Sequence, residues 1–398
     1  MKKLLLAASA CALMAGAAAA EDVKIGILIG FTGPIESLTS HMANAAEAAM
    51  AEVNASGKAK NTYTSVRGDS TCVDAAAATA AAERMITAEG VKGIVGADCS
   101  GVTRAVLTNV AMPNGIVMVS PSATSPALTN DPDNGLFFRT APSDAREGEV
   151  MADILTEKGV KSIALTYSNS DYGKGLAEAI ANAFTAKGGT VTINAAHDDG
   201  KADYSAEVAA LAAAGGDILV VAGYLDQGGK GIIQASLDTG AFTTFGLPGG
   251  MVGDSLPAAI GPGLDGSYGQ VAQSDSAGAA ILAEMGKAND PAYDATSPYT
   301  MESYDAAALI MLAMEASGST DSNVYKEKIM EIANGPADGS GVKILPGELG
   351  KALELIAAGT AIDYDGASGV TLIGPGESAG RYKQFEVKGG KYETVQFR

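Results

Sequence analysis

Histidine is nearly missing from this chain: His41 and His197 are the only two in 398 residues. Cysteine is almost as rare, with Cys11, Cys72 and Cys99 alone, and no H-x-x-x-H spacing occurs. A zinc centre needs four such ligands, or three and a water, so the material for one is lacking. His197 stands in the run HDDG beside Asp198 and Asp199. It reads as part of a polar loop after the strand VTINAA rather than as a metal or catalytic residue. The shortage also undercuts the one G-x-S-x-G motif, GESAG at 376–380. A nucleophile elbow needs a helix directly after its serine and a histidine further on. Ser378 is followed by strand-like RYKQFEV and by no histidine. Basic residues are scarce as well: 27 Lys and Arg against 46 Asp and Glu, a formal charge of −19. Nucleic-acid binding needs clustered cations and is excluded. GPGLDG at 261–266 resembles a dinucleotide fingerprint by letter but opens no βαβ unit. No cofactor and no metal are expected, and two adjacent carboxylates alone make no glycosidase. After the first twenty residues, no apolar stretch of about 20 residues offers a membrane span.

Those first twenty residues are distinctive. Lys2 and Lys3 precede an apolar run from Leu4 to Ala15, and Ala18–Ala20 lead into Glu21 and Asp22. A positive start, a short apolar middle and a small-residue end describe an export signal, with cleavage expected after Ala20. About 17 mostly apolar residues fall short of a comfortable membrane span. A lipid anchor on Cys11 is the weaker reading, because Ala8 stands where leucine is wanted. The mature chain is therefore expected outside the cytoplasm, in the periplasm.

Roughly 378 residues remain, too many for one ordinary core and suited to two domains. A hydrophobic content of 47 % supports packed interiors. The mature chain keeps Cys72 and Cys99. In an exported protein such a pair reads first as a disulfide, whose 27-residue separation would contribute about 3–4 kcal/mol in the chain-entropy account. Two buried free thiols are the alternative.

Short β-branched runs alternate with alanine-rich helical stretches. Strands are predicted at Val23–Ile29, Tyr63–Arg67, Gly93–Val95 and Ile116–Val119, with helices at Met42–Asn54 and Cys72–Glu89. The pattern restarts with strands at Ser162–Thr166, Thr190–Ala195, Asp217–Ala222 and Thr243–Leu247. Helices at Gly173–Ala186, Tyr204–Ala214 and Gly228–Thr239 lie between them. Pro298–Ser317 is a further helix, and 335–378, rich in glycine and proline, reads as a connecting region. Unbroken apolar strands between helices mean parallel sheets covered on both faces. The fold class is α/β, with two doubly wound lobes whose strand ends face a shared cleft.

Seven segments carry a resemblance: IGILIGFTGPI (25–35), DSTCVD (69–74), GADCSG (96–101), MVSPSATSPALT (118–129), SNSDYGKGLA (168–177), ADYSAEVAAL (202–211) and YDAAALI (304–310). In this order and spacing the chain resembles the type I periplasmic solute-binding proteins of ABC transporters, specifically the branched-chain amino acid (Leu/Ile/Val) group. The resemblance implies two Rossmann-like lobes joined by three crossovers, placed near Thr140–Ser143, Tyr268–Ala272 and Val370–Gly374. The first lobe would hold 21–141 plus 272–371, and the second 142–271 plus 372–398. The family's small disulfide falls on Cys72 and Cys99.

Ser100 begins a loop-to-helix turn and either caps the helix or faces an anion. The resemblance favours a contact with a ligand carboxylate. Ser122 and Thr124, in a hydroxyl-rich loop bounded by prolines, align with positions that meet the ligand's carboxylate and ammonium. Tyr172 and Tyr224, each at a strand's carboxyl end, align with residues that cover the ligand on closure, and Tyr299 with a side-chain pocket. One departure stands out. The acidic residue that pairs with a ligand ammonium in many family members falls on Gly249 here. A neighbouring acid, Asp226 or Asp254, would have to substitute, or the ligand lacks an ammonium. The expected function is capture of a small amino acid or related carboxylated solute, branched-chain amino acids first, by a monomer that delivers it to an ABC permease. An ammonium-free organic acid, a small amide, or a periplasmic enzyme with a cryptic site are the alternatives. A receptor's sensing domain shares the fold but expects a membrane span or signalling module, which this stretch does not offer.

Overall fold

A computed structural model describes residues 21–289 and 294–398; the expected export signal and Cys11 lie outside the described residues. The first five strands are β1 (Glu21–Ile29), β2 (Asn61–Asp69), β3 (Ile94–Gly96), β4 (Met118–Ser120) and β5 (Phe137–Pro142). The next five are β6 (Ser162–Ser168), β7 (Thr190–His197), β8 (Ile218–Ala222), β9 (Phe245–Leu247) and β10 (Tyr268–Ala272). Later come β11 (Val342–Ile344), β12 (Ile362–Tyr364), β13 (Leu372–Ile373), β14 (Glu377–Ser378), β15 (Tyr382–Lys388) and β16 (Lys391–Phe397).

Two seven-stranded sheets result. The first runs β13-β14-β5-β4-β3-β1-β2 and the second β16-β15-β10-β9-β8-β6-β7. Within each, the five strands from the early α/β series are parallel. Short antiparallel additions finish one edge: β13 on β14, and β15 and β16 beyond β10. Both lobes thus have the order 2-1-3-4-5, whose switch point lies between the first and third strands.

The strands read as near-continuous apolar runs because helices cover both faces. In β1, Ile25, Ile27, Leu28 and Ile29 are all buried. Full burial of each such side chain contributes roughly 1.5–3 kcal/mol. The helix Glu36–Ser56 turns Met42, Ala46, Ala49 and Val53 inward at helical spacing. It starts six residues before the predicted Met42, and Gly57 ends it in the left-handed conformation. The helix Thr300–Ser317 packs against it, and every residue from Thr300 to Glu315 is buried. A helix enclosed all round has no polar face, which explains the run ALIMLAM.

Three departures from the sequence reading concern function. The stretch 335–378 is folded: β11 and β12 pair in parallel around the helix Leu349–Ala357, and its last residues join the first sheet as β13 and β14. Its three-residue strands carry too little pattern to be seen among glycines. His197 is the last residue of β7 and 1 % exposed, with Nδ1 2.8 Å from the Thr166 hydroxyl. It is a packed strand residue, not part of a polar loop, and burial pushes its pKa down to about 4. The chain passes between sheets after Pro142, after Ala272 and between Ser378 and Tyr382. The third passage comes later than 370–374, because β13 and β14 form a hairpin that still belongs to the first sheet. Among the described residues, no helix is long and apolar enough to cross a membrane.

Candidate ligand-binding site

The switch points of both sheets meet. Ile35 and Leu38 follow β1, Asp98 and Ser100 follow β3, and Ser122 follows β4. From the second sheet come Tyr172 after β6, Tyr224 after β8 and Gly250 after β9. These residues, with Cys99 and Tyr299, enclose a cavity of about 20 Å³ between the lobes. That holds a water molecule or so, not a metabolite. Leu38 also borders a wider inter-lobe depression of about 610 Å³, lined among others by Ser37, His41, Gly253 and Lys383.

The first-lobe wall is polar and fixed. Asp98 is buried, and its carboxylate accepts from the Gly30 amide at 2.7 Å and the Ser70 hydroxyl at 2.6 Å. Burial raises its pKa, and these hydrogen bonds oppose the rise. Cys72 and Cys99 are joined with Cα atoms 5.0 Å apart, which ties the loop after β2 to the loop after β3. Ser100 does not cap its helix; it is the first helical residue, and Cys99 at the cap position makes no side-chain bond. The Ser100 hydroxyl instead accepts from the Ser125 amide at 3.1 Å, and the Ser122 hydroxyl donates to the Asp98 carbonyl at 3.0 Å. Arg139, 1 % exposed, clamps this loop from behind. Its guanidinium donates to the carbonyls of Ala123 (3.1 Å) and Ser125 (2.9 Å), to the Thr129 hydroxyl and to Glu377.

The second-lobe wall is aromatic. The rings of Tyr172 and Tyr224 stack with centroids 5.1 Å apart and planes 27° from parallel. Ser170 caps the helix that carries Tyr172, and the Gly250 amide donates to the Tyr172 hydroxyl at 3.0 Å. Tyr299 precedes the buried helix Thr300–Ser317 in a left-handed conformation, φ 62°. Burial pushes the phenols of Tyr172, Tyr224 and Tyr299 up, so at neutral pH all three are uncharged hydroxyls.

Five of the seven residues singled out from the sequence therefore line one cavity: Ser100, Ser122, Tyr172, Tyr224 and Tyr299. Thr124 and Asp226 do not. The Thr124 hydroxyl lies behind the wall and is buried. Asp226 lies outside, where its carboxylate takes the amide and hydroxyl of Ser37 at 3.2 and 2.7 Å. A carboxylate beside the start of the helix Glu36–Ser56 is favoured by the orphan N–H groups there, and this draws Asp226 away from a ligand. Asp254 borders the wider depression. Ile35, Leu38 and Asp98 were missed. The first two sit at a helix start placed too late, whereas an acid two residues after the buried strand IVG was a usable signal for Asp98.

Two facing α/β lobes with one small cavity at their joined switch points define a cleft-closing solute-binding protein. The chain belongs to the periplasmic binding protein family, whose sequence model matches residues 22–334. It is 30 % identical over 266 residues to the Leu/Ile/Val-binding protein of Escherichia coli K12, covering 66 % of this chain and 71 % of that one. Leu/Ile/Val-binding protein homolog 3 of Brucella melitensis is 29 % identical over 340 residues, covering 83 % of this chain and 89 % of that one. Among solved structures, a leucine-binding protein from Thermotoga maritima superposes with a TM-score of 0.77 at 22 % identity, over 94 % of this chain and 98 % of that one. A Rhodopseudomonas palustris solute-binding protein in complex with 4-hydroxybenzoate gives 0.75 at 19 %, over 95 % and 97 %.

Proposed function

We propose that this protein captures a branched-chain amino acid between its lobes in the periplasm and hands it, as a monomer, to the permease of an ABC importer. The carrying observation is the division of labour across the cavity. Ser100 and Ser122 line it from the first lobe, and the stacked Tyr172 and Tyr224 from the second. Ile35 and Leu38 add an apolar floor suited to an aliphatic side chain. The names of the Escherichia coli and Brucella relatives support leucine, isoleucine and valine as the solutes to try first. One chain supplies both walls, so a single copy suffices.

The mechanism follows from the geometry. With the lobes apart, the solute's carboxylate takes the free hydroxyl hydrogen of Ser100, and the Ser122 hydroxyl swings to it from the Asp98 carbonyl. The second lobe then brings in the tyrosines, and excluding water strengthens each polar contact. Only the closed arrangement offers both sets, so the solute shifts the equilibrium toward it. The cavity enlarges on loading, because about 20 Å³ is too small for any amino acid.

The test is calorimetry with leucine, isoleucine and valine, alongside melting curves. A ligand at a hundred times its Kd adds about 2.7 kcal/mol of stability. Ser100→Ala with Ser122→Ala loses two hydrogen bonds to a charged group, roughly 1.5–3 kcal/mol each, and is expected to weaken binding at least tenfold. Unchanged affinity in the double variant would remove these serines from the site.

A further inference from the structure

Behind the cavity wall lies a polar cluster that none of these contacts uses. The helix Asp144–Glu157 begins where the chain first leaves the first sheet, and its first turn places Asp144 and Glu147 on one face. Both are buried, at 0 % and 2 % exposure. Glu147 Oε1 accepts from the Gly249 amide at 2.7 Å and from the Gln270 side-chain amide at 3.3 Å. The Asp144 carboxyl has only the Thr124 hydroxyl and the Glu147 carboxyl beside it, and the carbonyl oxygen of Gln270 and the hydroxyl of Tyr382 are without a partner. Buried polar atoms are hydrogen-bonded in the great majority of cases, and each exception calls for an explanation. Here the explanation has a chemical direction. Carboxylate and carbonyl oxygens accept, and the cluster has more acceptors than donors. A compact cation with several N–H groups fits such a surplus. Among the described residues no group of three or more His, Cys, Asp or Glu gathers as metal ligands require.

Position decides which cation. A Cβ added at Gly249 would stand 3.3 Å from Glu147 Oε1 and 2.8 Å from the Tyr299 hydroxyl. The Glu147 carboxylate thus fills the space that a side chain at 249 would enter. Tyr299 and the neighbouring Gly250 line the cavity, so the acid pair stands one layer behind it. We propose that Glu147 and Asp144, carried on the crossing helix, receive the ammonium group of the bound amino acid, replacing from another element the acid that position 249 lacks. The inference rests on the amino-acid reading above. The absence of an acid at 249 then implies no ammonium-free ligand.

The charges around the pair agree. Burial pushes Glu147 up to about 7 and Asp144 well above its usual range; the Glu147 charge adds to the rise at Asp144, whereas a hydrogen bond with Asp144 opposes the rise at Glu147. Arg139 on β5 favours the ionised form of Asp144, whereas the phenols of Tyr172, Tyr299, Tyr224 and Tyr382 stay neutral beside the pair. The empty pair therefore holds a proton near neutral pH. An arriving ammonium displaces that proton to solvent, and binding near pH 7 is linked to proton release.

The experiment is calorimetry near pH 7 in two buffers of different ionisation enthalpy. Leucine and its ammonium-free analogue 4-methylpentanoate are compared on the wild type, Glu147→Gln and Asp144→Asn. Wild type is expected to release a proton on binding leucine and to bind the analogue at least tenfold more weakly. Both variants are close in shape to the residues they replace. Each is expected to bind leucine at least tenfold more weakly without losing affinity for the analogue. Proton-neutral leucine binding by the wild type overturns the inference without any variant. So do folded variants that bind leucine within twofold of wild type, and in both cases the amino-acid reading stands. A wild type that binds 4-methylpentanoate and no amino acid overturns both.

Discussion

Asp226 and Ser37 hold the two lobes together: one carboxylate oxygen of the second lobe takes both the amide and the hydroxyl of a first-lobe serine, at 3.2 and 2.7 Å. The Asp226 amide adds a bond to the Pro34 carbonyl at 3.1 Å, and Ser255 holds the carboxylate from its own lobe. The bonds to Ser37 and Pro34 cross between the lobes, so parting the lobes there would break them. Asp226→Ala is expected to cost the closed form about 1 kcal/mol, since the pair is half-exposed, and so to weaken solute binding about fivefold. Rapid-mixing kinetics would show the loss in dissociation rather than association. An unchanged dissociation rate means the latch contributes nothing.

Gly175, on the second-lobe helix Asp171–Ala186, packs against the loop that carries Ser122. A Cβ there would stand 2.9 Å from Pro126 Cδ and 3.1 Å from Ser125 Oγ. Gly175→Val props the lobes apart while leaving each core untouched. Overpacking of this kind costs roughly 1–3 kcal/mol. Affinity is expected to fall at least fivefold, and small-angle scattering of the solute-saturated variant to stay more expanded than wild type. Equal compaction in the two proteins sinks the idea.

Glu302, one helical turn after Tyr299, gives a pH signature read in stability rather than in binding. It is 4 % exposed, and burial, helped by the Asp305 charge, pushes its carboxyl up to about 8. The folded state therefore holds this proton more tightly than the unfolded chain. The associated stability is fully present below about pH 4.5 and is lost as pH rises through about 8. Glu302→Gln cannot ionise, so its melting temperature relative to wild type is expected to climb from pH 5 to pH 8.5. His197, lowered to about 4, acts with the opposite sign between about pH 4 and 6.5 and cancels in the comparison. A constant difference between the two proteins across that range refutes the buried carboxyl's role.

The legible parts of this chain were those where burial leaves a continuous mark. Strands such as ILVVA at β8 are apolar throughout because helices cover both faces, and they stand out without any knowledge of the fold. Ser100, Ser122, Tyr172 and Tyr224 were legible as residues near strand ends once the resemblance singled them out, and the loops after β3, β4, β6 and β8 converge on one cavity. Asp144 and Glu147 were not legible. In SDAREGEV they read as acids of a helix's first turn, where exposed carboxylates are favoured by the dipole. Only packing under β10 and β15 reveals that they are enclosed. Asp226 misled for the converse reason: it follows a strand end, as ligand residues do, but a helix start on the other lobe was a nearer source of N–H groups. The stretch 335–378 stayed hidden because its pairing is three residues long and parallel, so neither strand signals the other.

Arg139 connects two regions that lie far apart along the chain. One guanidinium grips the backbone on either side of Thr124 and, through Glu377, the hairpin from which the last tether to the second lobe departs. The loop that lines the cavity and the last crossing between the two sheets are therefore anchored to the same guanidinium.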